Sequence, residues 1–113
     1  MQDIVIKTVD KSKIRNNGIG DYRTGINGNL VILVAKMKND DEEFLVALHE
    51  LIESKLALKR GINFKDINSF DRKHLNSPEP GDRKDAPYHE EHEFANKIEG
   101  MMAEKLGIKD YFY

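Results

Sequence analysis

The chain has 113 residues, of which 39% are hydrophobic and 34% charged, with 18 Lys+Arg against 20 Asp+Glu. That length fits one domain with one modest core, and a formal net charge of -2 gives no general pull toward nucleic acid or anionic lipid. With no cysteine, disulfide scaffolds, Cys-ligated zinc and thiol catalysis are excluded, so any metal must be held by His, Asp or Glu.

At the start, Asp3-Ile4-Val5-Ile6-Lys7-Thr8-Val9 is rich in β-branched residues and predicts a strand. The opening MQDIVIKTVD mixes charges and does not read as a signal peptide, so a cytoplasmic location is expected. Lys7, Lys11, Lys13 and Arg15 read as a solvated edge. Tyr22–Ile26, Asn27-Gly28-Asn29 and Leu30–Met37 predict a β-hairpin. The second arm is apolar on both faces, which suits a central or doubly covered strand. Its core, Leu30–Ala35, is the longest apolar run and falls far short of the about 20 residues that span a membrane.

A long helix follows. Asn39, Asp40 and Asp41 offer N-caps, Lys59 and Arg60 suit the negative end of its dipole, and Gly61 is a natural stop. Phe44, Leu48, Leu51, Ile52 and Leu58 share its apolar arc, with Leu45 and Leu56 at the margin. Residues 61–86 read as loop, with a short helical turn over Phe70–His74 and a turn at Pro78–Asp82. A last helix is expected from near Pro87 to Gly107, with Phe94, Ile98, Met101, Met102 and Leu106 as its apolar arc. The tail Asp110-Tyr111-Phe112-Tyr113 either folds back onto the sheet or marks a contact surface. The expected fold is α+β: a small antiparallel sheet packed on two main helices, in a single domain over 1–113.

The stretch Leu48-His49-Glu50-Leu51-Ile52-Glu53 carries the most chemistry. His49 and Glu53 stand one turn apart on one helix face, within reach of a single ion. Glu50 lies beside that ion, placed to take a proton from a water bound to it. A third ligand is available from the last helix, where His92 flanks the apolar arc as His49 flanks its own; His89 competes for that place. Two His and one Glu would leave a fourth position open to water, the mark of a catalytic zinc site. Glu99 follows His92 by seven residues on the same face and can orient a ligand through its other nitrogen. Asp71, His74 and Asp82 come from loops that lean toward the same place. Each of these has a plainer reading. His49 can be a half-buried polar residue, His89 an exposed first-turn residue, Glu50 half of a surface ion pair, and the loop residues only loop.

An apolar strand followed by a helix bearing H-E-x-x-(H/E) resembles the core of the zincin metallohydrolases. That resemblance covers the Leu30–Arg60 region and implies a zincin-like core, His49 as ligand to Zn²⁺ or another divalent metal, and Glu50 as general base. The sequence departs from the family at Glu53, where zincins have His, and it lacks their Gly-x-x-His continuation. VALHELIE, followed by Phe70-Asp71 and His74, then EPGD, APY and Glu91-His92, resembles small proteins common in phage and prophage genomes. This likeness runs from about Asp21 to Gly107 and implies no particular activity, and the location it implies is a host cytoplasm.

Three functions follow as expectations. The first is a divalent-metal protein, zinc before others, acting as a hydrolase of amide-like carbonyls. The second is a phage-type interaction or modulator protein whose metal is structural. The third uses Glu50-x-x-Glu53 and Glu90-x-x-Glu93 to hold Mg²⁺, as in all-helical nucleotide pyrophosphohydrolases, and the strand-rich N-terminal third speaks against it.

Overall fold

The protein, seen in a computed structural model that describes residues 3–25, 27–77 and 79–108, builds its sheet from β1 (Ile4–Val9), β2 (Gly20–Thr24) and β3 (Leu30–Ala35). The strand order is β1-β3-β2. β2 and β3 form the expected antiparallel hairpin, with Gly20 opposite Val34 and Thr24 opposite Leu30. Gly28 takes a φ of 76° in the connection, a backbone conformation that costs glycine little. β1, however, runs parallel to β3, from Ile4 beside Leu30 to Val9 beside Ala35. The sheet is therefore mixed, and the expected antiparallel sheet is corrected.

The cause lies between β1 and β2. There the chain makes two short 3-10 turns, Lys11–Lys13 and Arg15–Asn17. Ile14 between them packs against Leu33 and Ala35, so this segment crosses one face of β3 and delivers β2 to the far edge. Arg15 is not part of a solvated edge. It makes two 2.7 Å hydrogen bonds to Asp21 and lies 4.0 Å over the Phe64 ring. The other face of β3 presents Leu30, Ile32 and Val34 to the main core, which also contains Tyr22, Val46 and Tyr88. Apolar residues on both faces of β3 thus have two separate things to cover.

Three helices complete the fold. α1 (Asp40–Lys59) is capped by Asn39, whose side chain accepts from the Glu42 backbone N–H at 2.9 Å. α2 (Phe64–Lys73) extends the short helical turn expected over Phe70–His74 into a ten-residue helix beside the two main ones. Asn63 caps it by accepting from the Asp66 N–H at 2.9 Å, and Ile67, with the half-buried Phe70, packs it against the core. α3 (His89–Lys105) begins two residues after Pro87, behind a 3-10 turn over Pro80–Asp82. The expected turn at Pro78 and the tail at Asp110–Tyr113 lie wholly or partly outside the described residues.

α1 and α3 pack along each other, and the faces they bury are not the ones their hydrophobic residues predict. α1 buries His49, Glu50 and Glu53 beside Leu45, Val46, Ser54 and Ala57. α3 buries Glu91, His92, Asn96 and Glu99 beside Ala95 and Ala103. Meanwhile Phe44 is 50% exposed, Phe94 48% and Met101 58%. Charged side chains go inside only if they satisfy one another, because an unpaired buried charge costs several kcal/mol. Here they do. At the far end of α1, the Arg60 guanidinium holds both carboxylate oxygens of Glu91 at 2.6 Å and donates to the Pro87 carbonyl. Among the described residues no helix is long and apolar enough to cross a membrane.

Candidate metal centre

His49 sits mid-way along α1, and Glu53 follows one turn later on the same face; His92 comes from the first turn of α3. Packing of the two helices closes these into a triangle. His49 Nε2 lies 2.8 Å from Glu53 Oε2 and 3.2 Å from His92 Nδ1, and His92 Nδ1 lies 2.9 Å from the same Glu53 oxygen. Bonds of about 2.0–2.1 Å in a tetrahedron place donor atoms about 3.3–3.4 Å apart. The triangle would need to open by a few tenths of an ångström to admit such an ion. Among the described residues no fourth His, Asp or Glu joins it.

Behind each imidazole stands a carboxylate. Glu99 Oε1 is 2.8 Å from His49 Nδ1, and Asp82 Oδ1 is 3.1 Å from His92 Nε2. A carboxylate only accepts, so the outer nitrogen of each ring carries the hydrogen and donates. Both inner nitrogens face Glu53 Oε2, so without metal His49 donates from Nε2 as well; once that hydrogen is given up, His49 Nε2 and His92 Nδ1 can turn lone pairs to the centre of the triangle. Glu99 and Asp82 therefore stand where they orient the rings.

The charges of the cluster act strongly on one another. Burial alone would lower the His49 pKa, yet its hydrogen bonds with Glu53 and Glu99, and the charge of Glu50, raise it to about 11. Burial would raise Glu53, but the two imidazoles beside it hold its carboxyl below the ordinary value. Glu50 has no such help: burial and the Glu53 charge push it well above the usual carboxylate range. Asp71 rises to about 6 because it is desolvated, even though the Tyr88 hydroxyl donates to it.

A cavity of about 500 Å³ adjoins the triangle, lined by His49, Glu50, Glu53 and His92, and on its other walls by Tyr22, Asp71 and Asp82. Two glycines shape it. A Cβ on Gly20 would come within 2.9 Å of Glu50 Cγ, and one on Gly81 within 2.5–2.9 Å of three His92 ring atoms. Gly81 is needed for that close approach, since His92 is 3% exposed and has nowhere to retreat. Gly81→Ala is expected to lower stability by about 1–3 kcal/mol by overpacking and to weaken zinc binding with it. Chemical denaturation followed by a zinc titration reads both, and a wild-type midpoint would refute the crowding.

Other expected site residues are placed elsewhere. His89 does not reach the triangle; its Nδ1 donates to the Gly81 carbonyl at 2.9 Å, and Glu93 lies 3.9 Å from its Nε2. Its position at the very start of α3 turns it toward the preceding loop. His74 also stays away, donating to the Phe70 carbonyl and stacking 4.1 Å from the Phe70 ring. Asp71 lines the cavity but bonds Tyr88, whose ring meets His92 edge-on at 6.3 Å. Glu90 and Glu93 are exposed and do not line the cavity, so the four-carboxylate arrangement is not assembled. Sequence reasoning missed Tyr22 and Tyr88 altogether. Only the glycine next to an acidic residue at Gly20-Asp21, matching Gly81-Asp82, hinted that backbone approaches the site closely there.

No protein-family model, curated protein or solved structure matches this chain.

Proposed function

We propose that the chain holds one divalent ion, zinc before others, between His49 Nε2, Glu53 and His92 Nδ1, and acts as a small hydrolase with a zincin-like arrangement on α1. The observation that carries this reading is the carboxylate behind each imidazole. Ordinary buried histidines need one partner, whereas these two each donate outward to Glu99 or Asp82 while turning the other nitrogen toward a shared carboxylate. Three donors and a neighbouring cavity favour a catalytic over a closed structural site. The ion, when bound, supplies a Lewis acid that brings the pKa of a coordinated water to about 7. Glu50 lines the cavity next to the triangle, with its stem against Gly20, and takes the proton as water attacks a carbonyl. Glu99 and Asp82 keep the two rings from turning.

Metal analysis of protein made without an affinity-tag histidine tests the reading. One zinc per chain is expected in the wild type, less than a tenth of that in Glu53→Ala, and full zinc without hydrolysis in Glu50→Gln. Stoichiometric zinc in Glu53→Ala would end the assignment.

A further inference from the structure

Tyr22 stands on β2 with its ring in the main core and its side chain on the wall of the cavity. It is only 5% exposed. Its hydroxyl is nevertheless the one buried side-chain polar atom, among the described residues, with no hydrogen-bond partner. A buried donor left unmade costs about 1–3 kcal/mol, so such an atom asks for an acceptor that the protein itself does not provide. The neighbouring Tyr88 makes the contrast: its hydroxyl is spent on Asp71. Burial and the surrounding charges of Glu53, Glu50 and Asp71 hold the Tyr22 phenol far from ionisation, so it keeps its proton and can act only by donating or accepting as a neutral group.

The cavity also states what it will not take. Beyond Glu53 and Glu99 of the cluster, its walls carry Glu50, Asp71, Glu79 and Asp82. Its one arginine, Arg15, is already held by both oxygens of Asp21. Outside the triangle, a phosphate or carboxylate entering here would meet carboxyl groups, and among the described residues no available guanidinium or ammonium lines the wall to pair with it.

We propose that the cavity receives the acyl group of an uncharged or cationic substrate, and that the Tyr22 hydroxyl donates a hydrogen bond to its carbonyl oxygen. This rests on the metal-hydrolase reading above. As water adds to the carbonyl carbon, the carbonyl π pair moves onto that oxygen, and Tyr22 donates to the growing negative charge without giving up its proton. A donor already desolvated needs no further desolvation when that charge appears.

Acetohydroxamic acid, an acyl probe that is uncharged in neutral solution and ligates zinc after giving up its N–OH proton, and inorganic phosphate test this on the zinc-loaded full chain. Wild type is expected to take up one zinc and bind acetohydroxamate, and Tyr22→Phe to take up the same zinc but bind the probe about fivefold to tenfold more weakly. Phosphate is expected to bind neither protein at millimolar concentration. Because the hydroxyl has no partner in the free protein, Tyr22→Phe should melt at or above the wild-type temperature, whereas Tyr88→Phe should melt below it. Equal acetohydroxamate affinity in Tyr22→Phe, a lowered melting temperature in that variant, or tight phosphate binding would overturn the proposal while leaving the zinc site standing. Wild type that takes up no zinc would instead overturn the metal reading, and this inference with it.

Discussion

His49→Ala is expected to remove bound zinc and, in the metal-free protein, to lower stability by about 3–5 kcal/mol, the usual cost of taking one partner from a buried ionic cluster. Two carboxylates depend on this ring. Glu53 and Glu99 are 4% and 6% exposed, and each has an oxygen 2.8 Å from a His49 nitrogen. Removal of the imidazole takes one hydrogen-bond partner from each, beside Glu50, which is already destabilised by the Glu53 charge. In a domain of this size the loss corresponds to roughly 10–25 °C in Tm. Urea denaturation in the presence of a chelator separates the apo-protein effect from the loss of zinc. His89→Ala is the control, since its ring bonds only the adjoining loop and helix; it should keep the zinc and most of the stability. A wild-type denaturation midpoint in His49→Ala would show that these carboxylates do not need the ring.

Zinc uptake is expected to expel at least one proton from the protein at pH 7, and zinc affinity is expected to climb about tenfold per pH unit for each proton displaced. The proton is that of His49. Without metal, the ring can donate from both nitrogens, to Glu99 and to Glu53, which is why its pKa stands at about 11. The ion needs the Nε2 lone pair, so it competes with that hydrogen. The sign for the metal-free protein runs the other way. A histidine whose folded pKa is raised contributes stability that is complete below its unfolded value of about 6.5 and lost as pH rises through about 11. Apo-protein should therefore weaken on going from pH 6.5 toward pH 11, by at most about 1.4 kcal/mol per pH unit from this group. Zinc-loaded protein should gain on it over the same span. Calorimetric titrations in buffers of different ionisation enthalpy count the protons directly. Affinity independent of pH between 6 and 8 would refute the protonated apo-state.

Much of the local structure was legible from residue pattern. Asn39 and Gly61 mark the two ends of α1, Gly28 marks the hairpin, and an apolar run with no polar face marks β3 as the central strand. Helical spacing alone puts His49 over Glu53 and His92 seven residues before Glu99, and those four meet across the α1–α3 interface. What pattern could not supply was anything set by a long-range crossing. The parallel pairing of β1 follows from Ile14 lying over Leu33, a contact nineteen positions apart in sequence that no local signal announces. The burial of α3 was misjudged for a different reason. Hydrophobic periodicity assumes that charge seeks water, which points Phe94 and Met101 inward. When the charges can satisfy one another the assumption reverses, and small residues such as Ala95 and Ala103 let the helices close over them. α2 was hidden because Asn, Asp and Gly dominate its surroundings, although Asn63 is itself the cap that starts it.

The Arg60 clasp has a mechanical meaning for the triangle. Glu91 and His92 are neighbours in the first turn of α3; one is gripped by Arg60, the other meets Glu53. Seven residues separate Glu53 from Arg60, about 10 Å along α1 at 1.5 Å per residue. The two attachments are spread along α1 but fall on adjacent residues of α3, so the clasp pins the first turn of α3 against the end of α1, while His49 and Glu99 tie the helices further along. A guanidinium far from any reacting atom thus anchors the turn that carries His92, and the spacing of three donor atoms inherits its tolerance from that fastening.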